Sequence, residues 1–320
     1  MNEKGIETSM AVQDNVTRLD AEGMLTPEKE NRFLVVWRRF RRHRLAVAGM
    51  FVLIIFILMG IFAPLLAPYD PIEDQDPYNK NAPPSPEHLL GTDEIGRDVF
   101  SRLLYAARIS LTVAFVVTLL SEVAGALIGG VSGYFGGWVD SLIQRIVDFL
   151  LTIPLLPLLL AFSSILRGIE LPLIPKQYTS VIVISFILIA FGWMGTCRLV
   201  RGMVLSLRSL DFTEAARALG MSDGRIIVRH MIPNAMAPII VHATLGLGGV
   251  IVLESALSFL GFGVQPPVPT WGNMLQAAQA GLLGQPAKVF YPGLAIFLTS
   301  LAFNYVGDGL RDALDPRLKL

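Results

Sequence analysis

Apolar positions in this chain come in long runs rather than at helix or strand spacing, and that pattern sets the architecture. A helix needs about 20 apolar residues to cross a hydrocarbon layer, because every backbone amide there must be bonded within its own segment. Residues 45–68 and 178–197 hold no charged side chain, and neither do the shorter runs 149–166 and 289–306. Residues 109–136 are interrupted only by Glu122, and residues 235–263 only by His242 and Glu254. The pattern predicts an all-α, polytopic membrane protein with six transmembrane helices. Buried helices of soluble proteins rarely run this far without a charged face, which sets aside a large soluble helical bundle.

Composition agrees. The 320 residues are 53% hydrophobic and only 16% charged, against about a quarter charged in soluble chains. Mean hydropathy is +0.56. Lys and Arg together number 26, as do Asp and Glu, so no bulk charge draws the chain to nucleic acid. Cys197 is the single cysteine, which leaves no intramolecular disulfide and no zinc site built from cysteine pairs.

Basic residues near span ends are retained on the cytoplasmic side. With the amino terminus inside, the inner segments carry 19 Lys and Arg and the outer ones 7, so both termini are expected in the cytoplasm. The mostly polar stretch 1–44 is far longer than a signal peptide's basic leader, and the first span is expected to stay as an anchor. Phe33, Trp37 and Phe40 alternate there with Arg32, Arg38, Arg39, Arg41, Arg42 and Arg44, a mixture suited to membrane lipid headgroups. The chain divides into a tail (1–44), a first span with an external loop (45–108), and a core of five spans (109–320).

The connecting segments differ in character. Residues 69–86 are rich in Pro, Asp and Asn and predict an irregular outer loop. In residues 91–111, Asp98 and Arg102 stand at the spacing of a helix ion pair leading into the second span. Residues 198–234, on the inner side, are far longer than a tight helical connection requires. Within them DFTEAARALG predicts a short helix, with Asp211 or Thr213 as cap and Gly220 as terminator. A second helix follows, capped by Ser222 or Asp223, with Pro233 beginning or kinking the continuation into the fifth span. Ala215, Ala216 and Ala218 keep the first helix small enough for another protein to approach closely. A DNA-binding helix pair has the same outline, but tethering both ends to spans leaves no room to track a duplex. On physical grounds an amphipathic loop lying on the bilayer competes evenly with docking.

The residues themselves carry a resemblance. Glu214, Ala215, Ala216, Gly220, Ile232 and Pro233 stand at the spacing of the EAA loop, E-A-A-x3-G-x9-I-x-L-P, which marks permeases of binding-protein-dependent ABC importers. His230 replaces the motif's first isoleucine and Ile232 its leucine, and His230 to Asn234 reads H-x-x-P-N, which resembles the dipeptide and oligopeptide branch. The stretches beginning at His88, Gly133, Glu254 and Gly307 look like the C-type permease subunit of that branch, so the resemblance runs from about Arg32 to the end. It implies a half-permease paired with a second, non-identical permease, fed with peptide by an extracytoplasmic substrate-binding protein and driven by two cytoplasmic ABC ATPase subunits in the cell inner membrane. Nearby branches carry nickel chelates, glutathione or antimicrobial peptides. Glu214, Ala215, Ala216 and Gly220 are then the ATPase contact, and His230, Ile232 and Pro233 place that helix against the fifth span. The chain has no G-x-x-x-x-G-K-[ST] loop, so it is expected to be no enzyme and to bind no cofactor, with ATP and Mg on its partners.

Carboxylates at mid-membrane cost about 2.5–3.5 kcal/mol on insertion scales, so Glu122 and Glu254 need partners. They and His242 are candidates for the translocation path or for structural bonding between helices. The glycines of residues 126–137 and 245–249 suit close helix packing, and Arg145 with Asp148 suits an ion pair one turn apart. No hydrolase triad or metal spacing is present, and the half-helices of a secondary transporter are not evident.

Overall fold

The computed structural model describes residues 32–169, 171–281 and 284–315. Among these residues regular structure is helical, apart from one isolated bridge between Thr92 and Asp98. Five helices are long and apolar enough to cross a membrane, and a pair bent by 89° makes a sixth crossing if counted as one span.

A short basic helix, α1 (Arg32–Phe40), leads into the first span, α2 (Arg44–Ile61). His43 caps α2, its Nδ1 accepting from the Ala46 amide at 3.0 Å. A one-turn helix, α3 (Ala63–Leu66), opens the outer connection. The second span, α4 (Val99–Phe135), runs 37 residues, or about 55 Å at 1.5 Å per residue, so it overshoots the hydrocarbon and begins ten residues before the apolar run that predicted it. The pair α5 (Gly137–Thr152) and α6 (Leu155–Ile165) follows, then α7 (Lys176–Gly192) and α8 (Met194–Leu207), which together cross as one. Beyond the segment 208–235 come α12 (Met236–Phe259), the short α13 (Trp271–Ala278) and α14 (Ala287–Leu314), with α9 to α11 inside that segment. The bundle therefore has a basic end, holding α1, the segment 208–235 and the close of α14, and a far end formed by the loop 67–98 and α13.

The run 149–166, predicted as one straight span, is broken. Pro154 has no amide to donate and crowds the preceding turn, so α5 stops at Thr152 and the chain turns sharply before α6.

The centre is α4, and what seats it is the absence of side chains. Gly125, Gly129 and Gly133 fall on one face and meet the backbone of Trp193, at the joint before α8, and of Cys197 and Arg201 within α8. A Cβ on Gly125 would lie 2.5 Å from the Trp193 carbonyl oxygen, and one on Gly133 would lie 2.8 Å from that of Arg201. Gly248 approaches the Ser300 carbonyl in the same way, whereas Gly249 has open space around it. Packing thus accounts for part of each predicted glycine stretch.

At the far end Asp98 caps α4 by accepting from the Ser101 amide at 2.7 Å, and it also meets His88 Nδ1 at 3.0 Å. Arg102 donates to the Pro71 carbonyl at 2.8 Å and lies 3.6 Å from Asp93. The predicted Asp98–Arg102 pair is therefore absent, because a cap position and a loop carbonyl compete better for the two side chains than each does for the other. Likewise Asp148 pairs with Arg198 of α8 rather than with Arg145.

Glycine 129 generates a direct prediction. Gly129→Leu forces α4 off α8 at a cost of about 1–3 kcal/mol or more and is expected to abolish the monodisperse peak in detergent size exclusion. Gly202→Ala, where a Cβ meets nothing within 4 Å, is expected to leave that peak unchanged.

Candidate functional site

The segment 208–235 is built from three short helices. The first, α9 (Asp211–Ala218), follows Leu210, which caps it without a side-chain bond. Thr213 instead turns back, its hydroxyl donating to the Leu207 carbonyl at 2.9 Å and closing the end of α8. Neither predicted cap is made. The terminator is as expected: Gly220 has φ of +73°, and the amides of Gly220 and Met221 donate to the carbonyls of Arg217 and Ala216. This paired closure needs a residue at positive φ, which favours glycine.

An eight-residue helix presents two faces. Ala216 is 5% exposed and packs among Val200, Val204, Ile226 and Met231. Phe212, Glu214, Ala215 and Leu219 face outward, Leu219 at 84% exposure. Ala215 and Ala216 are about 100° apart around the axis, and their surroundings differ: Ala215 is exposed, whereas Ala216 seats the helix on its own subunit.

Beyond Gly220 lie α10 (Asp223–Ile226), a wide π turn over Ile227–Met231, and α11 (Ile232–Asn234). Pro233 cannot donate an amide, and just before it the ladder widens, the Ile232 amide reaching back to the Ile227 carbonyl. Asn234 Nδ2 donates to the carbonyl of half-buried His230 at 2.6 Å, bracing the same turn. Ile232 packs inward and Pro233 is exposed.

The segment is fastened to α4. The Tyr134 hydroxyl donates to Asp223 at 2.7 Å and accepts from Arg217 Nε at 3.1 Å, while the Arg217 guanidinium lies 4.9 Å from the ring centre. That hydrogen bond to Tyr134 holds the Arg217 pKa above its ordinary value, so its charge is fixed. Arg208 donates to the Gly133 carbonyl, and Arg201 grips both oxygens of Asp140, which also accepts from Ser132. Sequence reasoning missed Tyr134, Arg201 and Asp140. The only signal was a tyrosine and an aspartate at the inner margin of an apolar run, opposite a basic segment.

The three intramembrane polar residues separate into two places. Glu122 accepts from the Thr196 hydroxyl at 2.8 Å and lies 2.8 Å from His242 Nδ1, which joins α4, α8 and α12. The His242 side chain is 41% exposed, so it is no enclosed core histidine. Glu254 is 1% exposed and accepts from Ser258 at 2.7 Å, and the Ser258 hydroxyl in turn accepts from the Val264 amide. That chain of bonds ties the end of α12 to the loop that leads to α13. Among the described residues no group of three or more His, Cys, Asp or Glu side chains is placed to hold a metal.

Comparison with known proteins gives consistent results. Residues 125–320 match the family model described as binding-protein-dependent transport system inner membrane component, and residues 32–84 match the N-terminal TM domain of oligopeptide transport permease C. The dipeptide transport system permease protein DppC of Alkalihalophilus pseudofirmus is 42% identical over 311 residues, covering 93% of this chain and 98% of that one. DppC of Bacillus subtilis is 40% identical over 284 residues, covering 88% and 85%. The glutathione transport system permease protein GsiD of Pectobacterium atrosepticum is 42% identical over 284 residues, covering 88% and 90%. With one family model spanning more than half of the sequence and relatives aligned over nearly all of it, the chain belongs to the inner membrane components of binding-protein-dependent transport systems, in the C-type permease branch.

Proposed function

We propose that this chain forms one half of the membrane channel of an ATP-driven peptide importer, and that α9 is the coupling helix gripped by an ATPase subunit. The observation that carries the reading is the outward face of Phe212, Ala215 and Leu219 on a helix whose other side is held by Ala216, Thr213 and the Tyr134 bonds. An exposed leucine on a braced eight-residue helix fits a protein groove better than water. The bilayer-surface alternative is disfavoured because the same helix is held by tertiary bonds that a lipid-lying loop does not need. Glu214 and Gly220 flank this face, and His230, Ile232 and Pro233 set its position relative to α12.

The excess of Lys and Arg at the basic end supports placing that end, with both termini, in the cytoplasm. The complete machine then holds a second, non-identical permease, two cytoplasmic ATPase subunits carrying ATP and Mg, and an external binding protein that delivers the cargo. Peptide is the cargo favoured by the dipeptide permeases among the relatives. Glutathione, itself a tripeptide, is the second reading, favoured by GsiD. Nickel chelates and antimicrobial peptides have no observation of their own here.

Four outcomes are expected. Ala215→Trp leaves insertion and pairing with the second permease intact but weakens ATPase binding about thirtyfold, the effect of losing about 2 kcal/mol at an interface centre. Uptake into proteoliposomes falls with it, and normal uptake by this variant would falsify the docking role. Gly220→Val, forced into positive φ at about 1–2 kcal/mol, is expected to fray α9, visible as faster amide exchange over residues 211–221. Tyr134→Phe keeps the ring under Arg217 and removes both hydroxyl bonds; at about 1 kcal/mol for each bond, exchange over residues 217–226 is expected to quicken about thirtyfold. For cargo, excess unlabelled dipeptide is expected to block uptake of labelled dipeptide through the cognate binding protein. Displacement by glutathione alone selects the second reading.

A further inference from the structure

The two stalks of the coupling segment are α8, which leads into it, and α12, which leads out. Both are bonded to one carboxylate on a third helix, through a residue in the first turn of α8 and one in the second turn of α12. Glu122 of α4 accepts from Thr196 of α8 at 2.8 Å and meets His242 of α12 at 2.8 Å, and Thr196 and His242 lie 3.2 Å from each other. Lower on α4, roughly 18 Å away at 1.5 Å per residue, Tyr134 is bonded to the segment itself through Asp223 and Arg217. One helix thus touches the coupling segment at its base and both of its stalks higher up.

The junction is made by small residues. A Cβ on Gly195 would come within 3.1 Å of His242 Nε2, one on Gly192 would press on Ser121, and Gly246 faces Glu122 and Thr118. The two bonds differ in setting. Glu122 and Thr196 are buried, whereas the His242 side chain is 41% exposed. The α4–α8 bond is therefore shielded, and the α4–α12 bond sits at the subunit's surface, where the ring has room to swing.

Resting on the proposed coupling role of α9, we propose that Glu122 is a positioning residue that ties α8 and α12 into one moving body. A push on α9 then reaches both stalks. Without the tie, α8 moves and α12 lags, and ATP is hydrolysed with little displacement of the channel. The role needs hydrogen bonding rather than a net charge, so glutamine, which can bond both Thr196 and His242, serves in place of glutamate.

The test uses the complete importer in proteoliposomes with its binding protein, reading peptide uptake and ATP hydrolysis together. Glu122→Ala is expected to keep ATP hydrolysis within a few fold of the parent while uptake per ATP falls at least about tenfold, a 1.4 kcal/mol loss of coupling. Glu122→Gln is expected to restore the ratio. If Glu122→Ala does not assemble, Thr196→Val and His242→Asn each remove a single link, and each is expected to lower uptake per ATP. An unchanged ratio in every assembled variant overturns the inference. So does a loss confined to peptides with a free amino terminus, with N-acetylated peptides unaffected, since that marks a substrate subsite. Failure of the wild-type complex to couple ATP to uptake, or of α9 to meet the ATPase, defeats the coupling role instead, which keeps the two failures distinct.

Discussion

The close approach of α4 to the backbone of α8 and the joint before it is the contact on which the rest depends. Between apolar helices in lipid there is little hydrophobic gain on association, so packing distance decides which side chains can bond across the seam. With Gly125, Gly129 and Gly133 against the carbonyls of Trp193, Cys197 and Arg201, the two helices approach nearly backbone to backbone. Short polar side chains then reach across: Thr196 to Glu122 near the middle, Arg208 to the Gly133 carbonyl at the basic end. A wider seam leaves Glu122 buried without its hydroxyl donor, at a cost no apolar neighbour offsets.

Much of the architecture was legible because it rests on length and composition. Long apolar runs gave the spans, and Gly220, where a positive φ is needed, gave the end of α9, although neither cap offered for its start is made. What was not legible depends on competition between partners far apart in sequence. Spacing alone offered Asp98 to Arg102 and Arg145 to Asp148, but His88, Pro71, Asp93 and Arg198 were nearer in space and took those side chains. The break before α6 was signalled by Pro154, yet an apolar run that continues across a proline hides the change of direction.

The segment 208–235 shows the same division. Its motif residues were found as a set, but a set does not reveal faces. Only the folded helix separates Ala215, turned outward, from Ala216, turned into its own subunit. Tyr134 stood in the sequence only as a tyrosine at the inner margin of an apolar run, with nothing to show that it bonds both Arg217 and Asp223. The intramembrane residues also divide by environment: Glu254 holds a local turn, whereas Glu122 bridges three helices.

The wide turn over Ile227–Met231 has a geometric consequence for the stalk that follows it. Each residue of an α-helix advances the direction of a side chain by about 100°, so one residue more or fewer in that turn re-aims everything on its free side by more than a quarter circle. The turn therefore works as an angular index: it sets the azimuth at which Ala215 and Leu219 leave the bundle relative to the axis of α12. A substitution in this stretch alters a surface, whereas an insertion or deletion turns the whole exposed face of α9 relative to α12.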